Sequence, residues 1–157
     1  MFSFQITETM RGVHHFVNPS QGTAEDHDFY FTIDWRSSLF RAFNPLGPAF
    51  MVFEAKGVIF VDGLTPGEVP CEGVLKVDYI LSKTIRYTLD FEIGGKRFQY
   101  VGEKIDVDLS QPWLLVKTHT TCYGKIVGEK GDVISRSVAH FEPQTMVPFL
   151  TSFRWGA

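Results

Sequence analysis

The sequence predicts an all-β domain whose antiparallel strands close into a barrel. Turn-forming residues interrupt the chain about every ten to fifteen residues, and several of the intervening segments alternate apolar and polar side chains. Helical spacing occurs only in two short stretches, 38–43 and 146–153. A chain of 157 residues, 44% of them hydrophobic, is long enough for one domain with its own core, so we treat residues 1–157 as a single unit.

Eight segments have strand character, and no internal repeat or flexible linker separates them. They cover about residues 2–16, 27–36, 50–62, 72–81, 84–93, 96–107, 114–127 and 132–142. Because strands joined by short turns pair as antiparallel neighbours, we expect about eight to ten strands in a closed or nearly closed barrel. The two helical stretches supply one or two short helices at an end.

The best-defined local feature is a hairpin around Gly94-Gly95, a pair that tolerates the positive φ angles of a two-residue turn. On one face this turn pairs Phe91 with Phe98, Leu89 with Tyr100, Tyr87 with Gly102 and Ile85 with Lys104. The other face pairs Glu92 with Arg97, Arg86 with Glu103 and Asp90 with Gln99. One face is therefore apolar and the other charged or polar, which specifies the register.

A second hairpin is predicted around the loop 128–131. It sets Tyr123 opposite Arg136, Thr121 opposite Val138 and His119 opposite His140. A loop of another length would shift this register, so it is less tightly specified than the first.

Lys104 stands out because the first hairpin places it on the apolar, aromatic face. A buried ammonium without a partner is costly. We therefore expect its methylenes to cross the core and its charge to reach water at the rim. The alternative is that Lys104 meets the polar head of a bound molecule inside the barrel.

Two sets of residues, most of them aromatic, are of interest for function, and ten of the 15 phenylalanines belong to them. The first set lies on one strand face and is predicted to line the interior together with Lys104: Phe29, Phe31, Trp35, Tyr87, Leu89, Phe91, Phe98 and Tyr100. The second set lies in or beside the non-strand segments: Phe40, Phe43, Phe50, Phe53, Phe149 and Phe153. This second set either closes the core, forms a lid over the barrel mouth or provides a partner surface.

Metal and cofactor chemistry find little support in the sequence. His14 and His15 are adjacent on a strand and should point to opposite faces, while His119 and His140 lack a carboxylate beside both, so we predict no metal. No phosphate-binding glycine loop, dinucleotide fingerprint or GxSxG motif is present, and we predict no cofactor. Cys122 lies among threonines and is expected to be a buried, inert thiol. No catalytic residue is assigned.

Charge and hydropathy limit the partners and the compartment. A net charge of −3 argues against nucleic acid, and every uncharged run is too short to span a membrane. Cys71 and Cys122 stand alone, and the first residues do not resemble a secretory signal, which favours a cytoplasmic protein with reduced thiols.

A family resemblance runs through about residues 48–155. Its segments are AKGVIFVDGL, CEGVLKVDYI, TIRYTLDFEIGGKRFQYVGEK, WLLVKTHTTCYG, ISRSVAHFE and PFLTSFRW, and residues 83–104 are the most specific. This series resembles the small β-rich module associated with GMC-type flavin oxidoreductases of the cholesterol-oxidase group. The resemblance implies a calycin- or lipocalin-like barrel that works near sterol or other lipid-like substrates. The flavin-binding segment is missing, so oxidase activity is not implied.

Three functions are consistent with these features. The first is a non-enzymatic binding module for a hydrophobic small molecule such as a sterol or fatty acyl chain, accessory to an oxidoreductase. The second is an interaction domain that docks on a flavin oxidoreductase or forms a homodimer. The third is an enzyme of unassigned reaction on a lipid-like substrate, with Lys104 or His119 as the residues to test.

Overall fold

The computed structural model describes residues 3–18, 25–38, 51–78, 84–104, 121–141 and 154–156, and the regular elements in these ranges are all β-strands. They are β1 Ser3–Phe16, β2 His27–Ser38, β3 Val52–Val61, β4 Val69–Asp78, β5 Thr84–Ile93, β6 Lys96–Lys104, β7 Thr121–Val127, β8 Val133–Phe141 and β9 Arg154–Gly156. Apart from Ser38, which ends β2, both stretches with helical spacing lie outside the described residues. No helix in the described ranges is long and apolar enough to cross a membrane.

The first eight strands form a closed antiparallel barrel. Each strand from β1 to β8 pairs with the next along the chain. The barrel closes because β1 pairs with β2 over residues 3–14 and with β8 over residues 10–16. The short strand β9 pairs with β1 at residues 3–5. The predicted all-β class is confirmed, and the architecture is consistent with a calycin- or lipocalin-like barrel.

The predicted register of the β5–β6 hairpin is confirmed at every pair, including Ile85 opposite Lys104. Gly94 and Gly95 have φ angles of 57° and 81°, as the two-residue turn requires. On the outer face the Arg86 Nε donates to the Glu103 Oε1 at 2.9 Å. The turn and the cross-strand charges therefore specify the same register.

The predicted register of the β7–β8 hairpin is wrong by two residues. Tyr123 pairs with Val138 and not with Arg136, and Thr121 pairs with His140 and not with Val138. The loop holds one more residue than predicted because Asp132 belongs to it, with the Gly128 N–H donating to the Asp132 carbonyl oxygen. A bulge between Ile126 and Val127 shifts the register by one more. A shift of two keeps every side chain on its predicted face.

The core is a layer of four aromatic rings across the middle of the barrel. Tyr100 lies 5.1 Å from Phe29 and 5.3 Å from Phe31 between ring centroids, and Phe31 lies 5.5 Å from Tyr87. These side chains are completely buried. One end of the barrel carries the Gly94-Gly95 turn, and we call it the hairpin end. The opposite end carries Lys104, and we call it the Lys104 end.

Candidate functional site: a buried charged pair in the barrel

The most unusual feature of the interior is an ion pair. The Lys104 Nζ donates to the Glu8 Oε2 at 3.1 Å, and the two side chains are 1% and 4% exposed. The Tyr87 hydroxyl donates to the other carboxylate oxygen, Glu8 Oε1, at 2.5 Å. The Lys104 ammonium also lies 5.3 Å from the centre of the Tyr87 ring, within the range of a cation–π contact. Strands β1, β5 and β6 are therefore joined through three polar side chains inside an apolar barrel.

The expectation that the Lys104 ammonium reaches water at the rim is wrong. The charge is buried because Glu8 supplies the compensating carboxylate, which removes much of the cost of burying an unpaired ammonium. Sequence reasoning did not single out Glu8. The sequence did contain a signal for its inward position. Side chains two residues apart on a strand share a face, so Glu8 lies on the same face as Met10, His14 and Phe16, which are all buried.

Some hydrogen-bond donors in this region have no acceptor among the described residues. An ammonium has three hydrogens, and within the described part of the chain Lys104 uses one of them, toward Glu8. The Trp35 side chain is 9% exposed, and its Nε1 is buried without a hydrogen-bond partner among the described residues. Trp35 lies one inward position along β2 from Ile33, the residue opposite Glu8. The Lys104 end thus presents buried donors that lack an acceptor.

The predicted lining residues all lie on strands β2, β5 and β6 of the one barrel, where they form three groups. The first group is the central ring layer, which includes Phe29, Phe31, Tyr87 and Tyr100, with Leu89 also completely buried. The second is Phe91 stacked on the partly buried Phe98 at 5.7 Å, near the Gly94-Gly95 turn. The third is Trp35 at the Lys104 end.

Phe53 is the one member of the predicted lid or partner set that the structure describes. It lies near the start of β3 with 3% of its side chain exposed, and its ring meets Trp35 edge-on at 5.4 Å. Phe53 therefore belongs to the wall around Trp35. Phe40, Phe43, Phe50, Phe149 and Phe153 lie outside the described residues.

The buried thiols and phenols of the interior are held in their neutral forms. Burial raises the pKa of Cys71 to about 12 and that of Cys122 to about 11, and both cysteines are free. Burial, together with the Glu8 carboxylate, raises the pKa of Tyr87. The prediction that Cys122 is buried is confirmed, and its raised pKa disfavours the thiolate, the form in which a thiol attacks.

A second polar cluster lies at the hairpin end around His14. The His14 Nε2 lies 2.7 Å from the Asp62 carbonyl oxygen and its Nδ1 lies 2.6 Å from the Ser135 Oγ. A neutral ring donates to Asp62 and accepts from Ser135. In a charged ring both nitrogens donate, and the Ser135 hydroxyl then donates to the His15 carbonyl oxygen at 2.9 Å. The hydrogen bonds can form around the neutral ring and around the charged ring. Burial disfavours the charged ring and therefore lowers the pKa of His14.

The His14 cluster predicts a loss of stability in mild acid. Well above pH 6.5 the His14 ring is neutral in the folded and in the unfolded chain. At lower pH the unfolded chain takes up a proton that the folded chain resists. The free energy of unfolding should therefore fall as the pH drops from 6.5 toward the lowered pKa of folded His14. Urea unfolding at about pH 8 and about pH 5 measures this loss.

The control for this prediction is His14→Gln, whose amide keeps one donor and one acceptor and does not titrate. The variant should lose less stability between the two pH values than the unchanged chain. An equal loss in both proteins would show that groups other than His14 cause it. The neighbouring His27, whose Nδ1 lies 3.1 Å from the Asp62 Oδ2, is present in both.

The histidines of the described residues lie on both faces of the barrel wall. His14 points inward and His15 outward, so the pair faces opposite sides as predicted. His140 is exposed and lies 3.1 Å from the Thr121 hydroxyl, while His119 lies outside the described residues. Within the described ranges no three histidine, cysteine or acidic side chains group as metal ligands.

The chain is thus a closed antiparallel barrel in which a polar trio, Glu8, Tyr87 and Lys104, is buried among aromatic rings. No family model, curated protein or solved structure matches the chain. The resemblance to the module of GMC-type oxidoreductases therefore stays a prediction.

Proposed function

We propose that this barrel is a non-enzymatic binding module for a hydrophobic small molecule with a neutral oxygen acceptor, such as a sterol or a fatty-acyl ester. The observation that carries the proposal is the buried Trp35 Nε1, which lacks an acceptor among the described residues. A buried donor without an acceptor costs free energy that a ligand oxygen would recover. The sequence resemblance at residues 83–104 also favours a sterol-like ligand.

The chemistry of the Lys104 end favours a neutral polar group. The charge of Lys104 is already balanced by Glu8, so a ligand carboxylate would bring an unpaired negative charge into the interior. A carbonyl or hydroxyl oxygen accepts from Trp35 or from the remaining hydrogens of Lys104 without adding charge. The apolar part of the ligand would lie against the side chains that surround Trp35, which include Phe53.

A variant that lacks the indole donor tests the proposal. Trp35→Phe keeps an aromatic ring and removes the N–H, so it should weaken binding of a fluorescent sterol or fatty-acyl ester about fivefold, the value of one hydrogen bond. The affinities are measured by fluorescence titration of the whole chain. Tyr30→Phe is the control, because it removes a donor on the outer wall, where the Tyr30 hydroxyl bonds Glu68.

The proposal fails if neither probe binds with saturation. It also fails if Trp35→Phe binds as tightly as the unchanged chain, because the unpartnered donor would then have no part in recognition. Tyr30→Phe should bind like the unchanged chain in either case.

A further inference from the structure

The outer surface of β7, β8 and β1 carries two cations and a histidine in one row and apolar side chains in the next. In the first row Lys125 pairs with Arg136, and Arg136 pairs with His15 on the next strand. In the second row Tyr123 pairs with Val138, and Val138 pairs with Val13. We call these six outward residues the cationic face. Beyond the apolar row lie His140 and Arg11, paired with each other.

The cation row breaks a rule that the rest of the barrel follows. Like charges directly opposite each other on neighbouring strands destabilise a sheet. Elsewhere among the described strands a like-charge pair has an opposite charge beside it. Glu72 on β4 and Asp90 on β5, for example, lie opposite each other, and Lys56 on β3 lies opposite Glu72. Lys125 instead faces Val101 on β6, and the nearby Glu103 is bonded to Arg86. Among the described residues no carboxylate forms an ion pair with Lys125 or Arg136.

Exposed apolar side chains are concentrated on or beside the same face. The structure describes four large hydrophobic residues that are exposed, and three of them are Val13 at 40%, Val17 at 43% and Tyr123 at 54%. The fourth is Val74 at 41%, on β4. Val17 follows β1 two residues after His15, on the outward side of the strand. Cations and apolar side chains thus share one face of a chain whose net charge is −3.

We propose that the cationic face docks on an anionic lipid surface. Lys125 and Arg136 would meet the lipid phosphates, while Val13, Val17 and Tyr123 enter the boundary between headgroups and acyl chains. This arrangement explains why the chain keeps like charges side by side at a cost to its stability. The proposal is independent of whether the barrel interior binds a ligand.

Other occupants of the cationic face fit the observations less well. A second copy placed symmetrically would set cations against cations. A partner strand cannot be added within the cationic face, because β8 hydrogen-bonds to both β7 and β1. A single-stranded nucleic acid would stack on Tyr123 but gain little from two exposed valines. Of the occupants compared, a lipid surface is the one that uses both the charges and the valines.

Co-sedimentation of the full chain with vesicles tests the proposal. The unchanged chain should bind vesicles of phosphatidylcholine with phosphatidylserine, bind phosphatidylcholine alone weakly, and be released by salt. Each Lys or Arg near an anionic surface contributes about fivefold to binding. The double variant Lys125→Gln/Arg136→Gln should therefore bind about 30-fold more weakly.

Matched controls separate this face from general charge and hydrophobicity. Lys76→Gln/Arg97→Gln removes the same number of exposed cations from β4 and β6 and should leave vesicle binding unchanged. Val13→Ser should weaken binding, whereas Val74→Ser, at nearly the same exposure, should not. Thermal unfolding of Lys125→Gln/Arg136→Gln should occur at the same or a higher temperature, because like charges have been removed.

Three results would overturn the proposal. One is that the unchanged chain ignores phosphatidylserine vesicles. Another is that the two double variants bind equally well. The third is that the chain captures a single-stranded oligonucleotide or polyglutamate through Lys125 and Arg136 while leaving vesicles in solution, which would assign the face to another polyanion.

Discussion

Lys104→Met is expected to lower the free energy of unfolding by about 3–5 kcal/mol, the usual cost of removing one partner from a buried ion pair. The variant keeps a side chain of similar length in the core but leaves the Glu8 carboxylate, 4% exposed, with only the Tyr87 hydroxyl as a partner. Urea unfolding followed by circular dichroism measures the loss.

The control removes both charges at once. In Glu8→Gln/Lys104→Met the carbonyl oxygen of the new side-chain amide can still accept from Tyr87, and neither charge of the pair is left in the interior. Replacement of a complete buried pair by neutral groups is often close to neutral in stability, so the double variant should recover most of the loss. A double variant as unstable as Lys104→Met alone would show that the loss comes from packing around Lys104, and the ion pair would then have little part in stability.

The inward positions of Lys104 and Glu8 could each be predicted from the sequence, but their contact could not. The Gly94-Gly95 turn relates the two flanking strands by simple addition, so the inward position of Lys104 follows from local residues. Glu8 lies 96 residues away along the chain. Its contact with Lys104 depends on closure of β1 against β8, and no local pattern contains that information.

The cationic face could not be predicted from the sequence either, because it depends on which residues of β7 and β8 lie opposite each other. In the predicted β7–β8 register Arg136 faces Tyr123, so charged and apolar residues are mixed across the strands. One extra loop residue and one bulge move Arg136 opposite Lys125 and produce the rows described above. A loop of another length and a bulge each shift a register by one residue, and either change alone would exchange the two faces. Here the two changes add up to a shift of two residues, so the face assignments survive while the neighbour assignments do not.

The second large effect is expected at a glycine in the barrel wall. Gly73 lies in β4, paired with Ala55 on β3 and Leu89 on β5. A Cβ at this position would lie 1.7 Å from the Thr88 carbonyl oxygen, a backbone atom that cannot rotate away. Gly57 on the neighbouring strand is in the same situation, with 1.9 Å to the Thr32 carbonyl oxygen. These close approaches occur where glycine lets the wall bend toward closure.

Gly73→Ala should therefore lower the free energy of unfolding by about 3 kcal/mol or more, because relief of the contact requires β4 and β5 to move apart. Gly67→Ala is the matched control. Gly67 lies between β3 and β4, and a Cβ added there would have no described atom within 4 Å, so its substitution should change stability by less than about 0.5 kcal/mol. Equal stability of the two variants in urea would mean that β4 and β5 adapt at little cost. A large difference would show that the close approach of β4 and β5 at Gly73 is needed for the stability of the barrel.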